Sequence, residues 1–197
     1  MAESTGFTRR HFLTVATVVT GGVGVIGTAV PFVASFKPSA RAQALGAPVE
    51  FDVSKLEVGA LAKIEWRGHP IYIVHRSPEM LGALKKDESL LRDPKSEDSD
   101  QQPSYAKNEH RSIRPAFLVL EGVCTHFGCA PLARFAVATA DLGPTWPGGF
   151  FCPCHGSKFD LAGRVFTGVP APANLRVPPY RFINDNTILI GSDTGSS

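Results

Sequence analysis

Two short motifs decide how this sequence is interpreted: CTHFGC at residues 124–129 (box 1) and CPCHGS at residues 152–157 (box 2). All four cysteines of the chain lie in these boxes, each together with a histidine. Thiolates combined with imidazoles suit zinc or iron–sulfur centres. If each box contributes one thiolate and one imidazole, two cysteines remain, and they can form a disulfide between the boxes in an oxidising compartment.

The N-terminus predicts export and a membrane anchor. Arg9 and Arg10 precede residues 12–36, which contain no charged residue. That stretch measures roughly 37 Å as a helix and can cross a hydrocarbon core of about 30 Å. The arginines predict a cytoplasmic tail over residues 1–11. A twin-arginine signal exports proteins already folded. The alternative is a cleaved signal peptide, for which residues 40–42 (Ala-Arg-Ala) supply a small-x-small site.

Composition after the anchor favours strands and loops. Residues 37–48 lack an apolar period and have the composition of a flexible hinge. Residues 49–192 contain short alternating segments, among them a predicted hairpin at 61–74. We expect residues 78–115 to form a surface insertion, with a helix at Pro78–Lys86 and then a solvated polar loop. The net charge is only +2, and the basic residues form no stripe, so no nucleic-acid partner is expected.

The two boxes resemble those of the Rieske proteins of cytochrome bc-type complexes, the ubiquinol–cytochrome c reductases. The resemblance implies one [2Fe–2S] cluster in which histidines replace two of the cysteine ligands. It assigns every cysteine and histidine of the boxes a partner: Cys124 and Cys152 on one iron, His126 and His155 on the other, and Cys129 in a disulfide with Cys154. The extra cysteine pair separates this class from the cytosolic Rieske ferredoxins.

Further segments of the chain support the same resemblance. Residues 163–179 resemble the family's proline loop, in which Pro170, Ala171 and Pro172 cover the cluster. Val169 is an additional residue compared with the usual loop sequence. Phe127 stands where leucine is common, and the resemblance gives it the role of shielding the cluster at the docking surface.

One departure from the family pattern bears on the redox potential. The resemblance implies that Ser157 donates a hydrogen bond towards the cluster sulfurs, but Phe159 stands where many members have a tyrosine with a second donor. A donor at sulfur stabilises the reduced cluster, so we expect a lower potential than in members with the tyrosine. Tyr72 and Tyr180 are distant in sequence, although folding can bring a tyrosine close to the site.

The resemblance implies a mainly β fold: an antiparallel β-sandwich head with a cluster-binding subdomain over about 121–176, and one N-terminal transmembrane helix. It implies an electron-transfer subunit of a proton-translocating ubiquinol–cytochrome c reductase, anchored by a single pass in the bacterial inner membrane with its head in the periplasm. His155 then contacts ubiquinol and accepts its proton. The implied partners are cytochrome b and a cytochrome c-type subunit.

Two alternatives remain open from the sequence. The same site chemistry occurs in the Rieske subunit of a periplasmic molybdenum oxidase such as arsenite oxidase, which also travels by a twin-arginine signal. The residues from 163 onward favour the bc-type complex. A secreted zinc-binding structural module is the alternative from another class, since cysteine and histidine are also the ligands of structural zinc.

Overall fold

The computed structural model describes residues 8–86 and 88–192, and the chain divides into two units at Ala44/Leu45. The first unit contains helix α1, Arg9–Ala34, which is long and apolar enough to cross a membrane. Thr8 caps its N-terminus, because its hydroxyl accepts a hydrogen bond from the N–H of His11. The helix therefore begins and ends earlier than the predicted 12–36, and it includes both arginines that we expected in the tail.

The segment after the anchor is not wholly irregular. A second helix, α2, spans Ala40–Leu45, inside the stretch 37–48 whose composition predicts a hinge. Ser39 starts it by accepting a 3.2 Å hydrogen bond from the N–H of Ala42. Three alanines in six residues explain the helix, since alanine has the strongest intrinsic helix propensity. The carbonyl of Leu45 then accepts a hydrogen bond from the N–H of Arg67.

The head contains three antiparallel sheets of three strands each within the described residues, with orders β1-β9-β8, β2-β3-β4 and β5-β6-β7. The hairpin predicted at 61–74 is confirmed as β2 and β3, with Leu61 opposite Val74. The strands are β1 Val49–Asp52, β2 Leu61–Trp66, β3 His69–His75, β4 Phe117–Glu121, β5 Leu132–Arg134, β6 Gly149–Cys152, β7 Ser157–Phe159, β8 Tyr180–Phe182 and β9 Thr187–Ile190.

One apolar core joins the first two sheets and reaches the third. Ile71 and Leu118 from the β2-β3-β4 sheet and Ile188 from the β1-β9-β8 sheet are fully buried in it. Phe150 and Phe159 of the small sheet belong to the same core. The mainly β sandwich with a smaller subdomain is thus confirmed, and the two boxes project from strands that this core fixes.

In the solvated polar loop that the sequence predicts within the insertion, residues 97–100 are exposed, but several residues around them are buried. Helix α3 covers Pro78–Ala83 and ends three residues before the predicted Lys86. Short 3₁₀ turns follow, and Ser96, Gln102 and Ala106 are buried. These polar residues can be buried because their side chains bond to backbone atoms inside the head. The amide of Gln102, for example, donates to the carbonyls of residues 96 and 98.

Buried arginines fasten this insertion to the rest of the head. Arg111 is fully buried and donates to the carbonyls of Ala162 and Gly163, just beyond β7. Burial lowers the pKa of Arg111 to about 10, yet the group stays charged at neutral pH. Arg164 pairs with Asp160 at 2.7 Å and donates to the carbonyl of Pro94 in the insertion. The insertion is therefore part of the folded head.

Candidate metal centre

The boxes are two turns of similar construction at the ends of buried strands. Box 1 follows β4, and box 2 connects β6 to β7. In box 1 the N–H of Gly128 donates to the carbonyl of Cys124 at 2.9 Å, and in box 2 that of Gly156 donates to Cys152 at 3.0 Å. Both glycines have φ near +80°, a conformation that side chains disfavour. Each glycine turn closes its box on the first cysteine, with the histidine of the box inside the turn.

The first cysteine of each box lies beneath the surface as a free thiol. Cys124 and Cys152 are each 2% exposed. Burial raises the pKa of the Cys124 thiol; the backbone N–H of His126 lowers it, the adjoining Cys152 thiol raises it again, and the Ser157 hydroxyl lowers it. Two thiolates side by side in an apolar site need a cation between them. The pair therefore has the chemistry of a metal site.

The two histidines lie next to each other at the exposed end of the boxes. The ring centroids of His126 and His155 are 4.7 Å apart and perpendicular. Nδ1 of His126 is buried without a hydrogen-bond partner among the described residues, whereas His155 is exposed. The ring centroid of Phe127 lies 4.0 Å from that of His126 and 5.9 Å from that of His155, and Phe127 is 78% exposed. Phe127 thus forms an apolar tip beside both imidazoles.

The remaining two cysteines join the boxes covalently. Cys129 is bonded to Cys154, the pair that the resemblance implied. The sulfur of Cys152 lies within 4.8 Å of both disulfide sulfurs. These three sulfurs do not make a metal site, because a disulfide sulfur carries no thiolate to offer. The disulfide instead fixes the two turns to each other beside the free thiol pair.

Ser157 is the hydroxyl in contact with the thiol pair. It is fully buried at the start of β7, and its hydroxyl lies close enough to Cys124 to lower the pKa of that thiol. Phe159, two residues on and on the same face of the strand, is also fully buried and brings no donor. The hydroxyls of both distant tyrosines bond elsewhere: that of Tyr72 donates to the carbonyl of Pro131, and that of Tyr180 accepts from the N–H of Ile113.

The proline loop lies against both boxes. Ala171 is fully buried, and its N–H donates a 3.0 Å hydrogen bond to Ser157 Oγ. Thr125 of box 1 donates from its hydroxyl to the carbonyl of Ala173 at 2.7 Å. Pro172 is exposed on the outer side of the loop. The sequence did not single out Thr125, although its position between a predicted ligand pair was a signal that it faces the site.

Comparisons with known proteins decide the family. A model described as "Rieske [2Fe-2S] domain" matches residues 49–180. The chain belongs to the Rieske family. It therefore has one [2Fe–2S] cluster, and the zinc-binding module is excluded. A second model, described as "Ubiquitinol-cytochrome C reductase Fe-S subunit TAT signal", matches residues 1–39, so the twin-arginine prediction is confirmed.

Curated relatives of this Rieske protein match it along nearly its whole length. The "ubiquinol-cytochrome c reductase iron-sulfur subunit" of Allochromatium vinosum is 57% identical over 196 residues, which cover 100% of this chain and 94% of the relative. The protein of the same name from Bradyrhizobium diazoefficiens is 42% identical over 185 residues, which cover 93% of this chain and 94% of the relative. A solved structure named "Hyperthermophilic respiratory Complex III" gives a TM-score of 0.47 at 24% identity, and the match covers 89% of this chain and 98% of the solved chain.

The residues present fit the cluster of this Rieske family. Two free thiols lie buried and in contact, and a buried imidazole nitrogen of His126 lacks any other partner within the described chain. A thiolate pair and an imidazole pair are the donor types that such a cluster requires. The sulfur side of the site is inside the protein, and the nitrogen side is at the surface beside Phe127.

Proposed function

We propose that this chain oxidises ubiquinol and passes the electron to a cytochrome c-type haem as the iron–sulfur subunit of a bc-type complex. One observation carries the proposal: two imidazoles from separate boxes meet 4.7 Å apart, and the same two boxes supply a pair of buried free thiols. The relatives named above, matched over nearly their whole length, supply the substrate. The names of these relatives, which are 57% and 42% identical to this chain, favour the reductase over a molybdenum oxidase.

We propose that four side chains hold the cluster. Cys124 and Cys152 bind the inner iron, because their thiols are buried and adjacent. His126 and His155 bind the outer iron. The unpartnered, buried Nδ1 of His126 supports ligation through that nitrogen, which would leave Nε2 of this ring directed away from the metal. We propose the same orientation for His155.

The chain's own residues then prepare quinol oxidation. The bound cluster supplies a one-electron acceptor. His155 is exposed, so its outer nitrogen, Nε2, accepts a hydrogen bond and then the proton from the quinol hydroxyl. Phe127 presents an apolar ring beside this nitrogen and excludes water from the contact. The buried Ser157 hydroxyl directs its proton at sulfur and favours the reduced state.

The proposed setting is a membrane complex that translocates protons. Helix α1 anchors the chain by a single pass in the bacterial inner membrane, and the arginines at its start keep that end in the cytoplasm. The head then lies in the periplasm, where the disulfide is stable. Cytochrome b supplies the quinol site and takes the second electron, and a cytochrome c-type subunit accepts the electron from the head.

Two electron-transfer partners require the head to move, and we propose residues 37–48 as the hinge. Helix α2 covers Ala40–Leu45, which leaves residues 35–39 and 46–48 outside helices. A six-residue helix is too short to be stable alone in water. The segment can therefore unwind and re-form as the head moves.

The test uses the purified complex with b- and c-type haems. We expect His155→Gln to abolish ubiquinol–cytochrome c reductase activity and the EPR signal of the reduced cluster. The matched control is His69→Gln, at a histidine whose side chain is 55% exposed in the β2-β3 hairpin, and it should keep both. Retention of the signal and of turnover in His155→Gln would overturn the proposal, as would isolation of the chain with a molybdenum protein.

A further inference from the structure

The hydroxyl of Ser157 is oriented by a backbone group of the proline loop. Its oxygen accepts the hydrogen bond of Ala171 N–H at 3.0 Å, and the serine is fully buried. A hydroxyl has one proton and accepts through its lone pairs. Because the N–H of Ala171 occupies one acceptor position of the oxygen, the hydroxyl proton points away from that N–H. The same hydroxyl lies close enough to the Cys124 thiol to lower its pKa. The direction of that proton therefore depends on where the loop holds Ala171.

The loop presents this N–H as a fixed donor. Ala171 lies between Pro170 and Pro172, and a proline has a fixed φ and no N–H of its own. The loop thus has little freedom around Ala171 once its ends are held. What holds it decides the orientation of Ser157.

A single arginine of the insertion holds the loop on both sides of Ala171. Arg92 Nη1 donates to the carbonyl of Pro172 at 3.2 Å, and Nη2 donates to the carbonyl of Val169 at 3.5 Å. The N–H of Arg92 itself is bonded to the carbonyl of Val165. The planar guanidinium has its donors in a rigid fork, so it fixes the separation of the two carbonyls.

The next residue of the insertion supports the same loop. The carbonyl of Asp93 accepts from the side-chain amide of Asn174 at 3.1 Å, and the amide oxygen of Asn174 accepts from Val165 N–H at 2.8 Å. Asn174 is 1% exposed, whereas the Arg92 side chain lies at the surface. Arg92 can therefore be substituted without leaving a cavity in the core, whereas Asn174 cannot.

We propose that Arg92 is a positioning residue for the cluster: it holds the proline loop so that Ala171 directs the Ser157 hydroxyl at the Cys124 sulfur. This inference rests on the proposed role of Cys124 as a ligand. Reduction adds negative charge to the site, and a well-aimed donor at sulfur stabilises it. Without Arg92 the proline loop is less rigid, so the Ser157 hydroxyl spends less time oriented towards the sulfur. The reduced cluster is then less stabilised, and the midpoint potential falls.

The test measures the midpoint potential in the assembled complex. We expect Arg92→Gln to lower the equilibrium constant for one-electron reduction roughly three- to tenfold, the upper value being 59 mV. Arg92→Lys keeps the positive charge but loses the forked pair of donors. Its midpoint potential should lie between those of the wild type and Arg92→Gln. Arg176→Gln is the charge control: Arg176 is exposed two residues beyond Asn174, and within the described residues no hydrogen bond or ion pair of its side chain is found. It should leave the potential nearly unchanged.

A double variant separates positioning from charge. In a Ser157→Ala background there is no hydroxyl to aim, so we expect Arg92→Gln to cause no further fall. The inference is overturned if Arg92→Gln leaves the potential at the wild-type value, if Arg176→Gln lowers it as much, or if the fall is the same in both backgrounds. Should Arg92→Gln fail to assemble, an Arg92→Lys potential equal to wild type overturns it.

Failure of this inference is distinguishable from failure of the proposed function. A wild-type chain with no iron–sulfur EPR signal contradicts the proposed function. A normal signal with wild-type potential in the Arg92 variants contradicts only the inference. Signal intensity per chain should stay constant throughout the Arg92 series, because the ligands are untouched.

Discussion

The hydroxyl of Tyr72 donates a 2.8 Å hydrogen bond to the carbonyl of Pro131, 59 residues further along the chain. Its ring occupies the space that a side chain on Gly122 would need, and it stacks on Phe150 at 6.1 Å. Gly122 and Pro131 flank box 1, and Phe150 lies on the strand that leads into box 2. One buried tyrosine therefore supports both ends of one box and the approach to the other.

Removal of that hydrogen bond should weaken the site's support. We expect Tyr72→Phe to lower the free energy of unfolding by about 1 to 2 kcal/mol, because a buried carbonyl loses its donor. Gly122→Ala should cost more, since its methyl group meets the ring. The measurement is the temperature at which the complex loses its EPR signal. A Tyr72→Phe complex as heat-stable as wild type would contradict this account.

The potential should respond to a donor restored at Phe159. This side chain is fully buried on the same face as Ser157. We expect Phe159→Tyr to raise the midpoint potential, with about 1.4 kcal/mol of added stabilisation corresponding to roughly 60 mV for one electron. Phe151→Tyr, on the opposite face of the neighbouring strand, serves as the control and should have no effect. An unchanged or lowered potential in Phe159→Tyr would refute the prediction.

The disulfide should stabilise the boxes rather than take part in electron transfer. Cys129 and Cys154 are 25 residues apart, and closing such a loop is worth about 3 to 4 kcal/mol in the chain-entropy model. We expect the double variant Cys129→Ser, Cys154→Ser to lose iron on mild heating, while any cluster that remains gives a near-wild-type EPR line shape. Equal iron retention in the variant and in wild type would show that the bridge is dispensable.

The parts of this site that could be predicted are those whose functional residues lie close together in the sequence. The boxes carry their own signal, since Cys124 and His126 are two residues apart and need only a glycine turn to face one site. Ser157 was found for the same reason. The support that Arg92 gives to the proline loop was not predictable, because only the tertiary fold brings this arginine to the loop.

The fold shows the same division. The β2-β3 hairpin could be predicted from alternation, and the anchor from a long uncharged run. The insertion could not, because Arg111 and Gln102 look like surface residues in a polar sequence yet are buried. Their polar groups are satisfied by carbonyls that lie far away in sequence, and no local pattern reports such partners.

Stiffening the proposed hinge should slow turnover without changing the cluster. We expect Gly46→Pro combined with Ala47→Pro, which extends Pro48 into a run of three prolines, to restrict residues 46–48 to a stiff extended form. Steady-state ubiquinol–cytochrome c reductase activity should fall severalfold while the midpoint potential stays constant. Gly46→Ala with Ala47→Ser controls for the loss of glycine alone. Full activity in the proline variant would argue against a moving head.

We propose that the two boxes hold two irons unequally, with sulfur ligands on one and imidazole nitrogens on the other. The most direct measurement combines iron and acid-labile sulfide analysis of the purified complex with an EPR spectrum of its reduced state. We predict two irons and two sulfides per chain, and an average g value below that of clusters with four cysteine ligands. Absence of labile sulfide, or a spectrum of the all-cysteine type, would contradict the account.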